Sequence, residues 1–297
     1  MSRLPLYYSP AYVAAAHAIE TTRKAAWVAD SLAVSPIEGV TLVAPGPLDE
    51  RALGRVHAPG YVRAVREGEP RELAESQGFA WDPALWGTVC ASNGGAVAAA
   101  LHALTHRTNA GSLSSGLHHA RADRGDGSCT FNGLALAARA ALDAGAPSVL
   151  LIDLDAHFGG GTHALLRHDD RVWHLDVSVD AYDLYEPTPR WTTDLVADGR
   201  DYLPAVTHAL DRVLAERSFA LCLYNAGMDP LVDCTEGGCR GIDEATLAAR
   251  EALVFAACRR HQIPVAFVLA GGYLGPDLDE ARLVALHRLT IAAASAS

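Results

Sequence analysis

The chain has 297 residues, with 24 Lys and Arg against 35 Asp and Glu, a net charge of −11 and a hydrophobic share of 50%. That length and apolar content suffice for a large buried core. The acidic balance excludes a general electrostatic grip on nucleic acid or an anionic membrane, still allows a short basic patch, and agrees weakly with cationic ligands.

In chain order, residues 1–30 are interrupted by Glu20, Arg23 and Lys24, the last being the only lysine. They contain no apolar signal-peptide core, so a cytoplasmic protein is expected. No apolar run reaches the roughly 18–20 residues that span a bilayer. The six cysteines (90, 129, 222, 234, 239 and 258) form no CxxC pair and are too sparse for a disulfide scaffold, so reduced thiols are expected.

From residue 133 onward, helical and strand patterns alternate. Residues 133–144 read as a helix, 148–154 as a buried strand ending in acids, and 172–177 as a second strand. Residues 202–215 are helical, 219–224 extended, 244–260 helical and 264–269 extended. Gly145, Pro147 and Pro264 mark element ends, and residues 292–297 should fray. The alternation predicts one α/β domain over residues 1–297: a single open, mostly parallel sheet with helices on both faces.

Ligands in such folds bind beyond the carboxyl ends of the strands. Residues able to do chemistry cluster there. Asp153, Asp155 and His157 follow the first apolar run, Asp176 ends the second, Asn225 to Asp229 follow the third, and Gly271 to Tyr273 follow the fourth. Alternate residues of an extended segment point the same way, so Asp153, Asp155 and His157 can serve one locality. One imidazole with carboxylates leaves coordination positions open, as catalytic metal sites require. The same acids could simply end a strand and cap a helix, and a lone Asp229 could be a cap.

His118 and His119 lie between Ser/Gly-rich loops. They read either as solvated loop residues or as acid–base groups, since imidazole titrates near neutrality. Tyr273 reads either as packing or as a hydroxyl that polarises a carbonyl. Most of the remaining histidines read as surface or packing residues.

Together, GLHHA (116–120), DLDAHFGGGT (153–162), YNAGMD (224–229) and GGY (271–273), with RVHAPGYVRAVR (55–66), resemble the metal-dependent histone deacetylase family of the arginase–deacetylase fold. The likeness runs from about Tyr8 to Tyr273. DRGDGSC (123–129), IDLDAH (152–157) and HLDV (174–177) look most like its class IV branch. The resemblance implies zinc held by Asp155, His157 and Asp229; His and carboxylate ligands suit iron(II) as well. It implies His118 and His119 as the tandem histidines, Asp153 behind His118, Tyr273 as electrophile and Gly127 lining the acyl tunnel. It also implies structural potassium at Asp153, Asp155, His157, Asp176 and Val177, partly through backbone carbonyls.

Three positions depart from the family pattern. Gly160 stands where Asp or Asn usually partners the second histidine, so His119 is expected to lack that partner unless another group substitutes. Phe158 replaces the usual His or Gln. Ser128 replaces a tunnel phenylalanine, which should widen or wet one wall and admit acyl groups larger than acetyl. Glu236, seven residues after Asp229, matches the offset of a gatekeeper glutamate in acetylpolyamine deacetylases, but also reads as a solvated loop acid.

The expected activity is therefore a zinc amidohydrolase acting on acylated lysine side chains of proteins or peptides. Small acylated amines such as acetylpolyamines are the alternative substrates. A catalytically weak acyl-lysine-binding protein and an arginase-like dinuclear manganese enzyme are the competing classes. Neither nucleic acid nor a membrane is expected as a partner, and oligomeric state is not legible in the sequence.

Overall fold

The computed structural model describes residues 3–15, 17 and 19–297. Its strands are β1 (Leu4–Tyr7), β2 (Val40–Val43), β3 (Ala110–Ser112), β4 (Val149–Asp153), β5 (Val172–Ser178), β6 (Trp191–Leu195), β7 (Leu221–Gly227) and β8 (Val265–Ala270). They form one sheet in the order β2-β1-β3-β8-β7-β4-β5-β6. Every pairing is parallel, so all carboxyl ends lie along one edge.

The apolar runs alternate their side chains between two helical layers. Leu150, Ile152 and Leu154 pack with residues from helices Lys24–Val34, Tyr202–Glu216, Glu244–Arg260 and Glu280–Ala296. Val149 and Leu151 face the other way, toward helices Leu85–His106 and Gly133–Asp143. A strand buried on both faces needs apolar residues at every position, which explains the unbroken run before Asp153. Phe158 belongs to this second layer: it is fully buried and meets Tyr185 edge-on, with centroids 6.4 Å apart. That departure from the family pattern is therefore a packing residue.

The chain passes from β4 to β5 and β6 on one side, then returns to place β7 on the other side of β4. A crevice opens where the winding reverses. Register sets Asp153 opposite both Asp176 and Asn225, bringing three polar strand ends together there.

All six cysteines are buried and free. None of the helices among the described residues is long and apolar enough to cross a membrane.

Candidate active site

Asp155, His157 and Asp229 meet at the carboxyl ends of β4 and β7, with one ligand atom from each within 4.8 Å of the others. His157 Nδ1 lies 3.1 Å from Asp155 Oδ1 and 3.3 Å from Asp229 Oδ2. Asp229 is wedged between two glycines. A Cβ at Gly271 would fall 2.0 Å from Asp229 Oδ1, and one at Gly227 would fall 2.7 Å from the same atom. Behind Gly227, the buried Arg250 donates to the carbonyls of Gly227 (2.6 Å) and Leu154 (3.2 Å). Lys24, also fully buried, donates to the Gly271 carbonyl. Arg250 thus holds the backbone next to both carboxylates, and Lys24 holds the glycine packed against Asp229.

The donor set fits a divalent cation. Among the described residues, both Asp229 oxygens are buried without a hydrogen-bond partner, an arrangement costly for a carboxylate. Burial, followed by the neighbouring Asp155 charge, lifts the Asp229 pKa to about 7. Burial opposes charge on His157, yet Asp155 and Asp229 raise it to about 11. A proton held by His157 occupies the electrostatic place of a cation, and two carboxylates with one imidazole suit zinc or iron(II).

His118 and His119 face this cluster. His118 Nδ1 is 2.8 Å from Asp153 Oδ2, and the two Nε2 atoms are 3.0 Å apart. Asn225 Nδ2 donates to Asp153 Oδ1 at 2.8 Å and steadies that carboxylate. The turn itself is clamped by two hydrogen bonds to the His118 carbonyl, from Thr162 N (2.9 Å) and Asn132 Nδ2 (3.1 Å). Asn132 also caps helix Gly133–Asp143 by accepting from Ala135 N. The histidines are driven apart electrostatically. Burial lowers the His118 pKa, but Asp153 and Asp155 override it and raise it to about 10. Burial, then the His118 charge, lowers that of His119.

Tyr273, Gly127, Ser128, Cys129, Asp155 and both histidines line one cavity. Burial keeps the Tyr273 hydroxyl protonated, so it can donate. Burial likewise raises the Cys129 thiol, whose sulfur donates to the Gly127 carbonyl at 3.3 Å. Ser128 adopts φ +61° and also lines a second, more apolar cavity with Tyr12, Ala15, Leu85 and Val89.

His119 does not lack a partner, which corrects the expectation drawn from Gly160. His119 Nδ1 lies 2.9 Å from Asp183 Oδ2, an acid from the loop after β5. Sequence reading passed over Asp183 because no motif marks it and 64 residues separate the pair. It also passed over Tyr182, whose ring meets His119 and His157 edge-on at 4.9 and 6.0 Å.

Asp153 and Asp176 group with His174, which had read as a packing residue; the side chains of Asp155 and His157 belong to the other cluster. Val177 is buried in β5. Glu236 is exposed and outside the cavity lining, although the adjacent Gly237 abuts the catalytic wall. A Cβ on Gly237 would lie 3.4 Å from His157 Cε1.

Comparison with known proteins gives the fold and the family. The fold matches the crystal structure of the HDA15 HD domain (TM-score 0.82, 19% identity, covering 100% of this chain and 90% of that one). It also matches acetylpolyamine aminohydrolase from Burkholderia pseudomallei (TM-score 0.79, 19% identity, 98% of each chain). These define an arginase–deacetylase fold. The histone deacetylase domain profile matches residues 17–289. The chain belongs to the histone deacetylase family, and so to the hydrolases acting on amides. An uncharacterised Picosynechococcus protein is 32% identical over 235 residues, covering 76% of this chain and 77% of that protein. Histone deacetylase 2 of Arabidopsis thaliana is 33% identical over 190 residues, covering 61% of this chain and 48% of that protein. Human polyamine deacetylase HDAC10 is 26% identical over 269 residues, covering 81% of this chain and 40% of that protein. The chain thus spans half or less of these two eukaryotic relatives.

Proposed function

We propose that residues 1–297 form one zinc-dependent deacylase domain that removes acetyl or longer acyl groups from lysine side chains of proteins or peptides. The observation carrying this reading is that Asp155, one corner of the Asp155–His157–Asp229 cluster, lines one cavity with the paired histidines and Tyr273. Zinc, when bound, would supply Lewis acidity toward water and the amide carbonyl. His119, kept neutral, takes the proton from the attacking water. His118, held protonated by Asp153, delivers a proton to the departing amine. Opposed pKa shifts in neighbouring groups support this division of roles. The Tyr273 hydroxyl donates a hydrogen bond to the carbonyl oxygen as charge develops there. The products are a carboxylate and a free amine.

Acyl groups longer than acetyl are supported by Ser128, which lines both the catalytic cavity and the apolar one beside it. Small acylated amines form the second reading. In its favour, Glu236 is exposed on a turn whose next residue packs against His157, where a carboxylate would attract a cationic amine. Potassium belongs to the same proposal. Asp153 and Asp176 are fully buried neighbours, and burial, then the Asp153 charge, drives the Asp176 pKa well up. A monovalent cation would relieve that repulsion. Asp155, His157 and Val177 would serve it through their carbonyls, as the resemblance implies.

Metal analysis together with acetyl-lysine peptides, octanoyl-lysine peptides and acetylputrescine tests the proposal. One equivalent of zinc with peptide hydrolysis is expected. Hydrolysis of small amines alone would favour the second reading, and zinc binding without turnover would leave a binding protein.

A further inference from the structure

The acid that orients the second histidine has moved to a different part of the chain. Helix Gly160–Leu166 begins beside His119, and its first residue has no side chain. The Cβ that any other residue would place there falls 2.3 Å from Asp183 Oδ1 and 2.3 Å from the Asp183 carbonyl oxygen. The loop after β5 therefore occupies the volume that a side chain at position 160 would need. Asp183 enters it at φ +59°, a left-handed conformation that aspartate tolerates better than most residues. Strained backbone of this kind persists where the surroundings hold it.

Those surroundings are specific. Asp183 Oδ2 accepts from His119 Nδ1 and, at 3.1 Å, from Gly161 N. Arg121 donates to Oδ1, fixing the carboxylate plane. Arg121 Nε lies 3.7 Å from Asp126 Oδ2, and Tyr182 donates to Asp126 Oδ1 at 2.7 Å. The Asp183 side chain is only 6% exposed. A buried carboxylate with three donors is a built feature, since an uncompensated one would be expelled or protonated.

We propose that Asp183, held by Arg121, is the positioning residue for His119: it fixes the ring and keeps the proton on Nδ1, so that Nε2, 3.0 Å from His118 Nε2, is the accepting nitrogen. Gly160 is then a requirement of this arrangement, because it makes room for the relocated acid. The inference rests on the catalytic reading given above, but the test includes a measurement independent of turnover.

That measurement is proton NMR of the zinc-loaded protein without substrate. A downfield His119 Nδ1–H resonance, assigned with His119→Ala, is expected in wild type and Asp183→Asn and absent in Asp183→Ala. In kinetics, Asp183→Ala should lower kcat by about 100-fold with KM and zinc content unchanged, while Asp183→Asn, which still accepts from Nδ1–H, recovers to within about tenfold of wild type. A resonance that survives in Asp183→Ala, or an equal kcat loss in both variants, would overturn the proposal. If no amide is turned over, the catalytic reading fails and the resonance alone decides the role of Asp183.

Discussion

Arg250 donates to the carbonyl oxygen of Gly227 at 2.6 Å from a guanidinium with no exposed surface. The same nitrogen reaches Leu154, so one cation clips the end of β4 to the end of β7. Glu251 balances it at 3.0 Å and accepts from the Tyr224 hydroxyl at 2.9 Å. Replacing Arg250 by Met strands a buried carboxylate and should cost about 3–5 kcal/mol of stability. Urea denaturation measures this, and Arg250→Met with Glu251→Gln should recover part of the loss. A single-variant cost below about 1 kcal/mol would place the pair among weakly contributing ion pairs.

Metal affinity should rise with pH. In the metal-free protein, His157 titrates at about 11 and Asp229 at about 7, and a ligand must lose its proton to coordinate. Below about pH 7 two protons must leave, and above it mainly one. Zinc dissociation constants from competition titration should fall by a factor of roughly 10²–10³ between about pH 6 and about pH 8. Proton release, read calorimetrically in buffers of different ionisation enthalpy, should accompany binding. A pH-independent affinity would contradict the assigned ligands.

Tyr273→Phe removes one hydroxyl and leaves the packed ring. The expected result is a kcat loss of about 10²–10³ with zinc content and substrate KM near wild type. A fall in KM-side binding alone would assign the tyrosine to substrate packing.

His287 offers a pH-dependent stability test outside the site. Both its ring nitrogens are buried without hydrogen-bond partners among the described residues. Burial, then the charges of Lys24 and Arg250, depresses its pKa well below the ordinary value. The native state therefore keeps this ring neutral while the unfolded chain takes up a proton below about pH 6.5. The wild type should lose stability as pH falls through that region. His287→Leu should gain about 1 kcal/mol near neutrality by removing unsatisfied atoms, and more at about pH 5. Denaturation curves at both pH values check the sign; an equal change at each would remove the titration argument.

The strand ends were readable because two-sided burial imposes an unbroken apolar run and the chemistry begins where it stops. Asp155, His157 and Asp229 emerged in that way, and the structure brings them together. Asp183 did not, because its neighbours Tyr182 and Leu184 are exposed and its role arises only from Gly160, far away in the chain. His174 had read as packing since its partners are set by strand register, which periodicity does not specify. Phe158 looked like a departure in the site, but its ring is buried in the core beyond the end of β4.

The position of β8 has a consequence for assembly. It is last in chain order among the described strands, yet it lies between β3 and β7. Without it, β2-β1-β3 and β7-β4-β5-β6 share no ladder. β8 joins them and carries Tyr273 just beyond its end. The candidate metal cluster draws only on the ends of β4 and β7, so all three of its residues precede β8 in the chain while Tyr273 follows it. Insertion of β8 therefore both joins the two groups of strands and brings Tyr273, to which the proposed chemistry gives the carbonyl-polarising role, into the cavity it shares with Asp155 and the paired histidines.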